Sequence, residues 1–93
     1  MKLRVALVPS YEPDAVLLDV VKELLTNAFT VVVVNDGSGP DYDKVFSKLP
    51  KEVHYLSYET NHGKGYALKH GLKYIRDNFQ DCIVVTLDSD GQQ

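Results

Sequence analysis

The chain has no tryptophan, one cysteine and one methionine among its 93 residues. One cysteine cannot close an internal disulfide, and no spacing of cysteine and histidine suits a zinc site. Cys82 opens the apolar run Cys82-Ile83-Val84-Val85, where a free thiol acts as a small buried hydrophobe. A reducing, cytoplasmic compartment is the expectation. Long apolar runs are missing as well: none approaches the roughly 20 residues that span a bilayer. Met1-Lys2-Leu3-Arg4 leads into a strand rather than a signal-peptide core. No membrane segment is expected in this chain, and membrane association is left to a full-length protein. An excess of positive charge is also lacking. The formal net charge is −3 and lysine and arginine are scattered, so no basic stripe is available to a phosphate backbone, and nucleic acid is not an expected partner. Repeats and low-complexity stretches are absent.

What is present is an ordinary folding composition, 44% hydrophobic and 25% charged, in a length that fits one domain at most. Short β-branched runs alternate with longer amphipathic segments. Leu3 to Val8 reads as a first strand, ended by Pro9, which cannot donate to a ladder. Asp14 to Asn27 predicts a helix, with Leu17, Val20, Val21, Leu24 and Ala28 at helical spacing and Pro13 in first-turn position. Thr30 to Val34 is a strand apolar on both faces, as parallel strands are, and it breaks at the turn formers Asn35-Asp36-Gly37-Ser38-Gly39-Pro40. Asp41 to Leu49 predicts a short helix and Val53 to Tyr58 a third strand. Beyond Asn61-His62-Gly63-Lys64-Gly65, the stripe Leu68, Leu72, Ile75 and Phe79 predicts a helix packed on a sheet. Ile83 to Leu87 is the fourth strand, after which Asp88-Ser89-Asp90-Gly91 turns away.

This βαβ alternation predicts a Rossmann-like three-layer α/β/α unit. Right-handed crossovers make its four-stranded sheet mainly parallel, in the order 3-2-1-4. Ligands of such sheets bind beyond the carboxyl ends of the strands, where strand order reverses. That places the loops at Pro9 to Glu12, Asp36, Gly63 and Asp88 to Asp90 around one crevice.

Asp88 and Asp90 can both reach one hard cation while a diphosphate supplies further oxygens, which suits Mg²⁺ or Mn²⁺. An acidic solvated turn is the plainer reading of a bare Asp-x-Asp, but its position at a strand's end favours the metal. Asp36 follows four valines and can accept a proton from a nucleobase or cap a turn. Gly63-Lys64-Gly65 can bring backbone and lysine to a phosphate at a helix amino terminus. It is not a P-loop, and Leu68 stands where the third residue of a dinucleotide fingerprint belongs. His54, His62 and His70 form no ligand constellation, and Tyr11 can stack on a base or cover apolar surface.

Four segments in order, Val8-Pro9-Ser10-Tyr11, Val34-Asn35-Asp36-Gly37-Ser38, Asn61-His62-Gly63-Lys64-Gly65-Tyr66-Ala67 and Leu87-Asp88-Ser89-Asp90-Gly91-Gln92, resemble the family 2 glycosyltransferases of GT-A fold. The resemblance covers the whole chain and implies its amino-terminal nucleotide-sugar-binding half, without the acceptor-binding half that supplies the catalytic base. It implies a nucleoside-diphosphate sugar, UDP-linked, as donor and a saccharide, lipid-linked or protein acceptor. Pro9 and Tyr11 would flank the nucleoside, Asp36 would hydrogen-bond the base, and Gly63 and Lys64 would lie near the nucleotide. Asp88 would approach ribose or metal, Asp90 would ligate the cation, and Gln92 matches an assisting position in dolichyl-phosphate-mannose-synthase-like members. The family's Tyr-Asn-Glu reads Tyr11-Glu12-Pro13 here, which shifts the acidic group by one residue.

Two other readings compete. Haloacid-dehalogenase-like phosphatases also place Asp-x-Asp-Gly after an apolar strand, but there it normally closes the first strand and a threonine stands where Gln92 is. A non-catalytic nucleotide-binding or interaction module is the other. The apolar fourth strand, Cys82 to Leu87, is expected to be an edge able to recruit a second copy.

Overall fold

The computed structural model describes residues 2–89. Its elements are β1 (Leu3–Ser10), α1 (Val16–Thr26), β2 (Thr30–Asp36), a 3-10 turn (Pro40–Tyr42), the one-turn helix α2 (Asp43–Phe46), β3 (His54–Tyr58), α3 (Lys64–Asn78) and β4 (Cys82–Thr86). The strands form one sheet in the order β3-β2-β1-β4, every pair parallel.

Side-chain alternation along the central strands builds a core on each face of the sheet. Val5, Leu7, Val32 and Val34 pack with Ala67 and Ile75 of α3. Val8, Val31 and Val33 pack with Leu17 and Val21 of α1 and with Phe46 of α2. The run Val31 to Val34 is fully buried, as its unbroken apolar pattern predicts for a strand covered on both sides. The expected three layers and strand order are therefore found.

Several local expectations are corrected. β1 does not stop before Pro9 but runs through it to Ser10, with Pro9 opposite Val34 and Ser10 opposite Asn35. Leu7 directs its carbonyl to Leu87 N at 3.0 Å, on the β4 side. Pro9 has the same parity, so its missing N–H faces the β4 flank, past the last β4 partner, Thr86, where no ladder bond is lost. Pro13 is not in the first turn of α1: the helix begins at Val16, and Asp14 Oδ1 accepts from Val16 N at 2.9 Å. The second helix is split into the 3-10 turn and α2, and β4 lies one residue earlier than expected.

Ala28 is not on the helix face either. It has φ 66 and follows the helix end, with Phe29 N donating to Leu24 O at 3.0 Å and Ala28 N to Leu25 O at 3.1 Å. These two bonds define a Schellman cap, whose left-handed position ordinarily takes glycine. On α3, the buried stripe is Ala67, Gly71 and Ile75, whereas Leu72 is 44% exposed. Small residues face the sheet because α3 sits close to it. A Cβ built on Gly71 would lie 2.3 Å from Leu7 Cδ1 and 3.1 Å from Val34 Cγ2. Cys82 is half-buried against the core under α3. At the β4 edge, Ile83 and Val85 are exposed.

Two substitutions should move stability in opposite directions. Ala28→Gly relieves a left-handed residue and should raise stability by about 0.5–1 kcal/mol. Gly71→Val overpacks the seam between α3 and β1 and should cost about 2 kcal/mol or more. Urea unfolding of the two variants beside the parent measures both signs.

Candidate functional site

The carboxyl ends of β1 and β2 lie side by side and carry the buried polar residues Ser10, Asn35, Asp36 and Ser38. Asp36 is 3% exposed, and its carboxylate is satisfied by the loop that follows β3. Oδ1 accepts from Tyr58 Oη at 2.7 Å and from His62 N at 3.0 Å. Oδ2 accepts from Asn61 Nδ2 at 2.9 Å and from Gly63 N at 3.0 Å. Asn61 Nδ2 also reaches the Asp36 carbonyl at 3.0 Å. Four donors fill about the whole capacity of a carboxylate. Burial and the hydrogen bond to Asp36 raise the Tyr58 phenol well above its ordinary value.

The two loops touch through their backbones. Gly37 has φ +63, and a Cβ there would lie 2.2 Å from Asn61 N, so neither the conformation nor the space admits a side chain. Gly63, the residue before α3, has φ 93, a conformation that glycine adopts freely. Asp36 thus pins the entry to α3 and fixes where Lys64, its first residue, begins.

A second chain of bonds shapes the loop after β1. Asn35 Nδ2 donates to Tyr55 Oη at 2.9 Å, Asn35 Oδ1 accepts from Ser38 N at 3.0 Å, and Ser38 Oγ accepts from Glu12 N at 2.9 Å. Glu12 is held in a left-handed conformation, φ 49, rare for a residue that is not glycine. The turn leaves Tyr11 half exposed, and the Glu12 charge beside it raises the Tyr11 phenol.

Pro9, Ser10, Tyr11, Asp36 and Lys64 line one crevice of about 150 Å³. Lys64 Nζ crosses to Asp88 Oδ1 at 2.6 Å, which brings the end of β4 to the same place. Of the residues expected at the site, Pro9, Tyr11, Asp36, Lys64 and Asp88 are therefore gathered, with Gly63 directly behind. Glu12 does not line the crevice. Asp90 and Gln92 lie outside the described residues. Ordinary ligand pockets measure about 300–1,000 Å³, so this crevice is smaller than they are. A larger groove of about 710 Å³ runs along the β3 edge past Asp43, Tyr55, Ser57 and Glu59, but Pro9, Tyr11, Lys64 and Asp88 do not line it.

The sequence model of glycosyl transferase family 2 matches residues 5–92. The chain belongs to that family. An uncharacterized protein of Methanocaldococcus jannaschii is 27% identical over 92 residues, an alignment that takes in 95% of this chain and 40% of that protein. The family 2 chain thus spans about two fifths of the length of this curated relative. Family 2 membership sets the crevice in its context: the matched span includes every residue that lines it.

No group of three histidine, cysteine, aspartate or glutamate side chains that could hold a metal ion gathers among the described residues. Among the described residues, Asp36 and Asp88 bring carboxylates to the surroundings of Lys64, and the Asp36 oxygens are filled by protein donors. A lone carboxylate such as Asp88, already paired with Lys64, takes part in a Mg²⁺ site only where phosphates and water supply most of the oxygens. It does not fit a closed protein cage.

Sequence reasoning missed Tyr58, Ser38 and Ser10. Tyr58 was legible only as the last residue of a strand, and its link to Asp36 comes from the register, which sets Asp36 opposite Tyr58. Ser10 Oγ is buried and has no hydrogen-bond partner among the described residues.

Asp36→Asn should turn one acceptor into a donor facing two buried donors, and should cost at least about 2 kcal/mol in urea unfolding. Tyr58→Phe, which removes one of the four donors, should cost roughly 1 kcal/mol. The raised Tyr58 phenol also gives a pH dependence. The folded state holds this proton more tightly than the unfolded chain, so its contribution is fully present below the unfolded value of 10.0 and is lost as pH rises above it. Stability curves taken from about pH 8 to 11 should fall less steeply at the alkaline end for Tyr58→Phe than for the parent.

Proposed function

We propose that this chain binds the nucleoside diphosphate of a nucleotide sugar, UDP-linked, for transfer of the sugar to a saccharide, lipid-linked or protein acceptor. The observation that carries the reading is the convergence of Pro9, Tyr11, Asp36 and Lys64 on one crevice, with Asp88 tied to Lys64 across it. Family membership supports the same donor class.

In this reading, Pro9 and Tyr11 flank the nucleoside, and the exposed Tyr11 ring covers the base. Asp36 approaches the base only by sharing an oxygen already held by a protein donor, so its first task is to hold Gly63 and Lys64 in place. Lys64 and the free amides at the start of α3 meet the diphosphate. Asp88, with Asp90 and Gln92, would hold Mg²⁺ or Mn²⁺, and such an ion supplies Lewis acidity for the departing nucleoside diphosphate. Glu12 serves through its backbone, which the Ser38 hydroxyl anchors. The acceptor pocket and the base that activates the acceptor belong to further parts of a protein on the scale of the longer relative. The 93-residue chain by itself therefore binds nucleotide and transfers no sugar. The exposed flank of β4, with Ile83 and Val85, is where those parts or a second copy would pair.

Calorimetric titration of UDP in Mn²⁺ tests the reading. Asp90→Asn keeps the side-chain shape and removes a ligand charge, so it should weaken binding by about 2 kcal/mol or more while the fold stays intact. Asp41→Asn, an exposed change on the 3-10 turn, should bind like the parent. Equal affinities for all three would take the metal from Asp90, and sugar transfer by the purified chain would refute the binding-only assignment.

A further inference from the structure

β3 ends the sheet on the side away from β4, and among the described residues no strand pairs with its outer side. Such an edge presents a row of unpaired N–H and C=O groups that another extended chain can meet. The two edges of this sheet differ in character. Exposed Ile83 and Val85 make the β4 flank apolar, whereas Tyr55 and Ser57, with Glu59 two residues on, give the β3 flank a polar face at the strand period of two.

The groove of about 710 Å³ runs beside this edge, and its lining adds Pro40 and Asp43 from the 3-10 turn and α2. Its volume is that of an ordinary ligand site. Tyr55 is fixed there: its hydroxyl accepts from the buried Asn35 Nδ2 at 2.9 Å, and its ring lies 5.3 Å from that of Phe46. The residue is still 42% exposed. Asp43 and Glu59 bring two carboxylates to the groove, and no lysine, arginine or histidine lines it. Neither carboxylate has an ion-pair partner among the described residues. An aromatic face beside two acids suits a lysine or arginine side chain, whose stem covers the ring while its charge meets the carboxylates. The same charges weigh against other occupants. Two copies paired through β3 would bring like carboxylates together, and a nucleic acid or an anionic surface would meet them with its own negative charge.

We propose that the β3 edge is a docking surface for an extended basic peptide segment, which adds a strand beside β3 and sets lysine or arginine side chains against Tyr55, Asp43 and Glu59. Main-chain hydrogen bonds to β3 hold the segment, and the groove selects its charge. The inference stands apart from the nucleotide-binding reading, since Pro9, Tyr11, Lys64 and Asp88 do not line this groove.

The probe is an end-capped heptapeptide alternating threonine and lysine, titrated into the full chain and followed by backbone amide resonances. Saturable shifts should centre on Tyr55 and Ser57, and the β3 amides should exchange more slowly with solvent once peptide is bound. Asp43→Asn and Glu59→Gln, both exposed changes, should each weaken binding by about two- to fivefold, the scale of an exposed ion pair. The double variant should lose more. Asp19→Asn removes one exposed negative charge from α1 and should bind like the parent. Added salt should weaken the parent more than the double variant. Two control peptides separate charge from strand addition: one carries glutamate for lysine, and the other carries two consecutive prolines at its centre, which remove main-chain donors. Both should fail to saturate the β3 shifts. Equal binding by either control, unchanged affinity in the double variant, or shifts centred away from β3 would overturn the proposal. Self-association of the peptide-free chain that protects the β3 amides would overturn it too, by giving the edge to a second copy.

Discussion

One buried carboxylate organises the candidate site. Asp36 ends β2 in the middle of the sheet, where an unpaired charge would be costly, and its four hydrogen bonds draw in the loop that follows β3. Two of those donors are backbone amides at the threshold of α3, so the bonds set the height and direction at which the helix leaves the sheet. The site's lysine stands at that threshold. Gly37 and Gly63 accommodate the arrangement, one by leaving room for the Asn61 backbone and the other by taking φ 93.

The packing beneath serves the same end. Gly71 lets α3 approach Leu7 and Val34 more closely than any side chain would allow, which holds the amino terminus of the helix over β1. Parallel pairing then brings every strand out at one rim. β1 extends past the end of its ladder with β4, and Pro9 suits that extension because its missing N–H falls where no partner is lost. The crevice is the space left between an overlong central strand and a helix drawn down onto it.

Across this rim two opposite charges are paired. Lys64 and Asp88 neutralise each other across the crevice, and Asp36 is spent on internal donors.

The amino-acid sequence by itself determined the layers, the strand order and the set of loops that meet. Those follow from hydrophobic period, turn formers and the handedness of crossovers, all of which are local or topological. The run Val31 to Val34 and the clusters at Asp36, Gly63 and Asp88 were legible for that reason, and so were Pro9, Tyr11 and Lys64 as crevice residues. Only the tertiary structure decided which residues spend their hydrogen bonds on one another. Spacing along the chain cannot show that Tyr58 faces Asp36, that Ser38 anchors Glu12, or that Lys64 closes on Asp88, since each pair is set by sheet register or by helix placement. Leu72 gave up its expected place in the buried stripe to Gly71 for a related reason: apolar period marks a helix face to within about one position, while the depth to which a helix sinks depends on the side chains it meets across the sheet.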